Sequence, residues 1–101
     1  MSYNISLIQK VTVGDVGNYT YNVSSMYYEA LGMMLSDLNG KYAYDIIPII
    51  AKGLADMANN PDKYKAMNPA NGWGNYDGAL NYLGKLLNEC LNHPEAQIEV
   101  D

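Results

Sequence analysis

A small α+β fold is predicted by three observations. The N-terminus alternates apolar and polar residues, the C-terminus repeats that alternation briefly, and most of the chain between them carries apolar residues at helical spacing. The expected architecture is a small antiparallel sheet, made of an N-terminal hairpin plus a C-terminal strand, with three to four helices packed on it. At 101 residues the chain should form one globular domain over 1–101, large enough for a single core.

Each element has its own signal. From Tyr3 to Val13, the residues Tyr3, Ile5, Leu7, Val11 and Val13 share one face at period two, which predicts a long half-buried strand. Gly14-Asp15-Val16-Gly17 has turn chemistry, and Asn18 to Val23 alternates again, so the two runs should pair as an antiparallel hairpin. Ser24 or Ser25 can cap a short helix through Leu31, which Gly32 would end in the left-handed conformation. Met33 to Gly40 reads as a loop with a turn at Leu38-Asn39-Gly40.

A second helix is predicted from Ala43 to Met57, with Ala43, Ile47, Ile50, Leu54 and Met57 on its apolar stripe and Pro48 forcing a late start or a kink. Asn60-Pro61 is the start signature of a short third helix ending near Met67. Asn75 suits the cap of the longest helix, whose buried face should be Tyr76, Leu80, Leu83, Leu87, Cys90 and Leu91, and Asn92-His93-Pro94 stops it. Gln97 to Val100 is too short a strand to stand alone and should join the hairpin.

Composition narrows the function. The net charge is −5 and there is no arginine, so the planar fork that grips phosphates bidentately is missing and bulk DNA or RNA binding is not expected. No apolar run approaches the roughly 20 residues of a membrane-spanning helix, and no secretory signal precedes the Asn-X-Ser/Thr matches at Asn4, Asn18 and Asn22. With a single cysteine, the expectation is a cytoplasmic protein without a disulfide or a membrane. Ten tyrosines, one tryptophan and no phenylalanine put many rings at the core margin or on the surface, where the phenol can stack and donate together.

Catalytic and metal chemistry find little support. Cys90 and His93 are three apart, but the thiol falls on an apolar helix face and the imidazole at a helix stop, so a core thiol is the simpler reading. One His and one Cys cannot furnish a tetrahedral site, and Asp56, Asp62, Asp77, Glu89 and Glu95 lack calcium-loop spacing, so no metal and no cofactor is expected. Asp45 and Asp77 are the candidate acid–base pair, yet each sits in a first helical turn, where the helix dipole favours an acid. The expectation is a non-enzymatic protein.

What remains is polar and aromatic. Tyr19, Tyr21, Asn22, Ser24 and Ser25 stand at the strand-to-helix junction, and Asn71, Trp73, Asn75, Tyr76 and Asp77 at a second junction, where the loop enters the last helix, with Trp73 flanked by Gly72 and Gly74. Two helix N-termini, carboxamides and stackable rings suit a ligand with a flat base and an anionic group. The alternative is that Trp73 folds inward as a plug while the Asn and Gly residues make turns. Met26, Tyr27, Met33 and Met34 are candidate interface residues for a homo-oligomer.

Three stretches, Tyr19-Thr20-Tyr21-Asn22-Val23-Ser24-Ser25-Met26, Gly40 through Ile50, and Asn68-Pro69-Ala70-Asn71-Gly72-Trp73-Gly74-Asn75-Tyr76, resemble a widespread set of small phage and prophage proteins. The likeness runs from about Asn18 to Val100. It brings no established activity or site residues. What it implies is an accessory role in the host cytoplasm, either sequestering a nucleotide-derived immune signal or binding a host defence protein.

Overall fold

The computed structural model describes residues 2–101. Strand β1 (Ser2–Gln9) and strand β2 (Val11–Thr20) form the hairpin, and strand β3 (Gln97–Val100) pairs with the other side of β1, giving an antiparallel sheet of order β2-β1-β3. Tyr3, Ile5, Leu7 and Ile98 point to the covered face and are fully or almost fully buried. The expected α+β architecture is therefore the observed one.

The hairpin turn lies elsewhere than its chemistry suggests. Gln9 pairs with Val11, so Lys10 alone reverses the chain in the left-handed region at φ 67°. Gly14 to Gly17 is strand: the register steps twice, leaving Val16 unpaired opposite Ile5/Ser6 and Val13 unpaired opposite Leu7/Ile8. A turn and one type of bulge draw on the same residue, because both use a glycine at positive φ, as Gly17 does at 81° beside Val16. The register steps reset which side chains face inward, so Val16 is buried while Val11, predicted on the buried face, is 68% exposed.

A 3-10 turn over Tyr21–Val23 replaces the end of the predicted second strand, with the Thr20 hydroxyl accepting from the Asn22 N–H at 3.2 Å. Helix α1 (Ser24–Leu31) continues from it and ends at Gly32, φ 75°. Neither Ser24 nor Ser25 caps this helix; the cap position is Val23, because the preceding turn already carries the chain into helical geometry. The predicted loop contains a second 3-10 turn, Leu35–Leu38, which buries both of its leucines.

Helix α2 (Ala43–Asn59) passes through Pro48 in one piece and buries Ala43, Ile46, Ile50, Gly53 and Met57. Helix α3 (Pro61–Lys65) starts at its proline as expected, while the Asn60 side chain closes α2 by donating to the Asp56 carbonyl at 2.9 Å. Helix α4 (Tyr76–Asn92) lies across β1 and β2 and packs beside α2. Its buried face is Tyr76, Ala79, Tyr82, Leu83, Leu86 and Cys90; Leu91 is 58% exposed, a correction to the predicted stripe. The stripe rotates because α4 must meet the sheet through Tyr82 as well as α2.

Tyrosine replaces phenylalanine in this core. Tyr3, Tyr27, Tyr64, Tyr76 and Tyr82 are buried rather than marginal. Most of their hydroxyls tether separate elements: Tyr27 donates to the Ala79 carbonyl at 2.9 Å, Tyr76 to that of Met57 at 2.6 Å, Tyr82 to that of Gly17 at 2.9 Å, and Tyr64 to the Asp56 carboxylate. Each such bond contributes about 0.5–1.5 kcal/mol net. Met26 and Tyr27, candidates for an interface by sequence, are thus core residues, whereas Met34 is 41% exposed.

Candidate functional site

The two junctions singled out in the sequence meet in space. The hydroxyl of Tyr19, near the end of β2, accepts from the Asn75 N–H at 3.1 Å and approaches the Asn75 carbonyl at 3.4 Å. The ring lies so close to α4 that a Cβ on Gly78 would stand 2.0 Å from that hydroxyl. A Cβ on Gly74 would likewise stand 2.5 Å from Thr20 Cγ2. Glycine at 74 and 78 is what lets the tryptophan loop and the first turn of α4 dock on the end of β2.

Trp73 projects from this anchored base. Its side chain is not a plug: the residue is 68% exposed, on a loop shaped by Gly72 and Gly74 at φ 75° and 89°. The Asn71 Oδ1 accepts from the Trp73 N–H at 3.0 Å and holds the turn. Between the indole and the end of β2 runs a groove of about 550 Å³ lined by Ser2, Asn18, Thr20, Asn22, Asn71 and Trp73. Asn22 donates its Nδ2 to Thr20 Oγ1 at 2.8 Å, which leaves its Oδ1 as a free acceptor, while Asn71 keeps a free Nδ2 donor. The groove therefore combines a π face, an amide acceptor and an amide donor, with no charged side chain in its lining.

The remaining predicted residues are placed elsewhere. Asn75 is the α4 cap, its Oδ1 accepting from the Gly78 N–H at 2.8 Å, and the Tyr76 N–H is taken by Asn68 Oδ1 at 2.8 Å. Two amides of that helix start are thus already used, which removes much of the expected anion site. Tyr76 is buried, with its hydroxyl on Met57. Asp77 lines a separate groove between α2 and α4. Tyr21 and Ser24 line a half-open pocket with Met34, Leu35 and Ser36, and Ser25 a shallow one beside Tyr28 and Met67.

Tyr19 is the residue that the sequence reading undervalued. Beyond offering a ring at the junction, it locks β2 onto α4 and so fixes the loop that carries Trp73. A glycine three residues after a cap was the available signal, since a helix interior seldom takes glycine without a close neighbour.

The candidate catalytic groups do not assemble. Tyr44 N–H meets the Pro94 carbonyl and Tyr76 meets Met57, so α2 and α4 run antiparallel and Asp45 and Asp77 stand at opposite ends. A helix of this length separates them by about 25 Å. Cys90 is fully buried and burial pushes its thiol up to about 12, so it is not a thiolate nucleophile at neutral pH. His93 lies 3.8 Å from the Glu89 carboxylate rather than against the sulfur. The Tyr64 hydroxyl holds the Asp56 carboxyl below its usual range, with Lys63 adding to the effect, a pairing that ties α3 to α2. Among the described residues no group of His, Cys, Asp and Glu has metal-binding geometry, and no helix is long and apolar enough to cross a membrane.

Comparison with protein families, with curated proteins and with solved structures finds no match.

One buried group stands apart from the tethered tyrosines. Tyr3 is 2% exposed, yet its hydroxyl has no hydrogen-bond partner among the described residues. The Ser24 side chain lies beside it, outside hydrogen-bonding geometry. Burial, with Tyr21 nearby, pushes the phenol up to about 12, so it remains a protonated donor. An orphaned buried donor costs about 1–3 kcal/mol.

Proposed function

We propose that the protein is a small binding protein that takes a nucleotide-like ligand by stacking its base on Trp73. The observation that carries this reading is the 68% exposure of the indole on a loop whose base is locked by Tyr19, Gly74 and Asn75. An exposed indole that merely lacked room inside would not need such an anchor. The free Asn22 Oδ1 and Asn71 Nδ2 beside it can meet a donor–acceptor edge, as a base presents. Phosphates would gain little from this groove, so the base supplies the affinity.

The likeness to phage proteins adds a context: sequestration of a nucleotide-derived immune signal in the host cytoplasm, by a protein that binds without turning the ligand over. A homo-oligomer would enlarge a groove this shallow. The test is to incubate the purified protein with cyclic dinucleotides, cyclic trinucleotides and ADP-ribose derivatives, wash it, denature it by heat and identify what is released by mass spectrometry. Recovery of an intact compound supports sequestration; an altered compound would mean catalysis. Base stacking is worth about 1–3 kcal/mol, so Trp73→Ala should weaken binding about 5- to 150-fold with the melting temperature unchanged.

A second reading has its own observation. Tyr42 and Tyr44 stack at 5.5 Å and 10° on the surface, 42% and 52% exposed, on a chain of net charge −5. That pair suits a contact with a basic host protein, and such a complex should weaken with added salt. Release of nothing from the ligand panel, together with salt-sensitive complex formation, would favour it.

A further inference from the structure

We infer that Asn71 is a self-modification site: the Gly72 backbone nitrogen attacks its side chain, and the amide beside Trp73 becomes a carboxylate as the protein ages. The chain contains two Asn-Gly pairs, Asn39-Gly40 and Asn71-Gly72. In each, glycine has no Cβ to shield its backbone nitrogen from the preceding side chain. In each, a backbone N–H already donates to the asparagine Oδ1. Such a donor stabilises the negative charge that grows on that oxygen during attack. Local chemistry therefore makes both pairs reactive, and the fold decides between them.

Asn39-Gly40 is held by the sheet. The Gly40 N–H donates to the Ile98 carbonyl at 2.7 Å and the Asn39 side chain accepts from the Val100 N–H at 2.9 Å, so both reacting groups are tied to β3. Asn71-Gly72 has no such tie. Asn71 is exposed, its Oδ1 is held at 3.0 Å by the Trp73 N–H of the same loop, and the Gly72 N–H reaches the Pro69 carbonyl at 3.4 Å. These groups can move together without opening the core.

The reaction joins the Gly72 nitrogen to Asn71 Cγ and breaks the Cγ–Nδ2 bond. The glycine nitrogen gives up its proton to solvent, and the departing amide nitrogen takes one up and leaves as ammonia. Water then opens the five-membered ring, at Cγ to give aspartate or at the main-chain carbonyl carbon to give isoaspartate. Either product adds one carboxylate and removes the Asn71 Nδ2 donor. The lining of the Trp73 groove carries no other charged side chain, so the groove turns from neutral to anionic. On the reading of this groove as a nucleotide site, aged protein turns an anionic ligand away.

The test ages the purified protein in mildly alkaline buffer, digests samples briefly in mild acid, and follows the amide-to-acid mass gain in the peptides carrying Asn39 and Asn71. Fragmentation locates the gain. The Asn71 peptide should convert, and Asn39 should lag at least about 10-fold, because its reaction waits on opening of the ties to β3. In urea the two rates should converge. Asn71→Gln, whose closure needs a larger ring, should show no gain at that position. Trp73 is the only tryptophan, so its fluorescence reads the new charge directly. Quenching by iodide should fall on ageing and in Asn71→Asp, while quenching by neutral acrylamide holds. No conversion at Asn71 in the folded protein, or equally fast conversion at Asn39, would overturn the site. Unchanged iodide quenching of converted protein would overturn the placement of the charge beside the indole. ADP-ribose should bind aged protein about 3- to 10-fold more weakly than fresh protein, and equal binding would overturn the effect on the ligand. Failure of fresh protein to bind it counts against the stacking reading and leaves the modification standing.

Discussion

The two helix starts, of α1 and of α4, look alike in sequence and are built oppositely. At the start of α4, Asn75 spends its side chain on the Gly78 N–H, Asn68 takes the next amide, and Tyr19 fills the space above Gly78. At the start of α1 no side chain caps the helix, the lead-in is a 3-10 turn, and Ser24 lines a half-open pocket. A polar side chain near a helix start can hold the helix or meet a ligand, and the first use consumes it for the second. The stiff junction therefore offers only what projects beyond it, the Trp73 indole, and the uncapped one offers its own side chains.

Raising the pH should break what joins the two junctions. Burial raises the phenols of Tyr3, Tyr27, Tyr64 and Tyr82 and the thiol of Cys90 above their ordinary values of 10.0 and 9.0, so each favours the fold only while protonated. Their contribution is complete below those values and is lost as the pH climbs toward the raised ones, about 12 for Tyr3 and Cys90. Urea midpoints measured from pH 8 upward should hold to about 9 and then fall steeply. Tyr27→Ala removes one tether and its ring, since Tyr27 joins α1 to Ala79 of α4, and should cost about 3–5 kcal/mol in chemical denaturation.

Smaller changes sharpen the contrast. Gly78→Ala places a methyl group against the Tyr19 hydroxyl; overpacking of this kind costs about 1–3 kcal/mol, more than the roughly 1 kcal/mol that alanine gains in a helix. The melting temperature should drop, and adding Tyr19→Leu should restore part of it. Asn75→Ala should cost about 1 kcal/mol as a lost cap. Ser25→Ala should stay within about 0.5 kcal/mol, because that hydroxyl caps nothing. Equal losses at Asn75 and Ser25 would sink the distinction between the junctions.

Much of the fold was legible because local chemistry and tertiary structure agree. Gly32 ends α1, Pro61 starts α3, Asn75 caps α4, and Gln97 to Val100 joins the sheet. The hairpin was misread where one chemistry serves two geometries: the glycines of the predicted turn build bulges, and the true reversal falls on Lys10, whose side chain gives no hint of positive φ. The site was half legible. Trp73 and its flanking glycines marked the exposed loop, but the orphaned Tyr3 hydroxyl arises from the meeting of β1 with both 3-10 turns, and no spacing along the chain encodes that.

The sheet's two outer borders are closed to further strands. β2, at one margin, is interrupted at Val13 and Val16, so its outward row of amides and carbonyls never forms the straight template that another chain could extend. β3, at the other, is covered by the segment entering α2: the Ile98 N–H reaches the Lys41 carbonyl at 2.8 Å, and the Gly40 N–H reaches the Ile98 carbonyl at 2.7 Å. Open-ended growth along a shared backbone ladder is disfavoured at both borders. The irregularity that concealed the hairpin turn from the sequence also makes this margin a poor template for edge-to-edge extension.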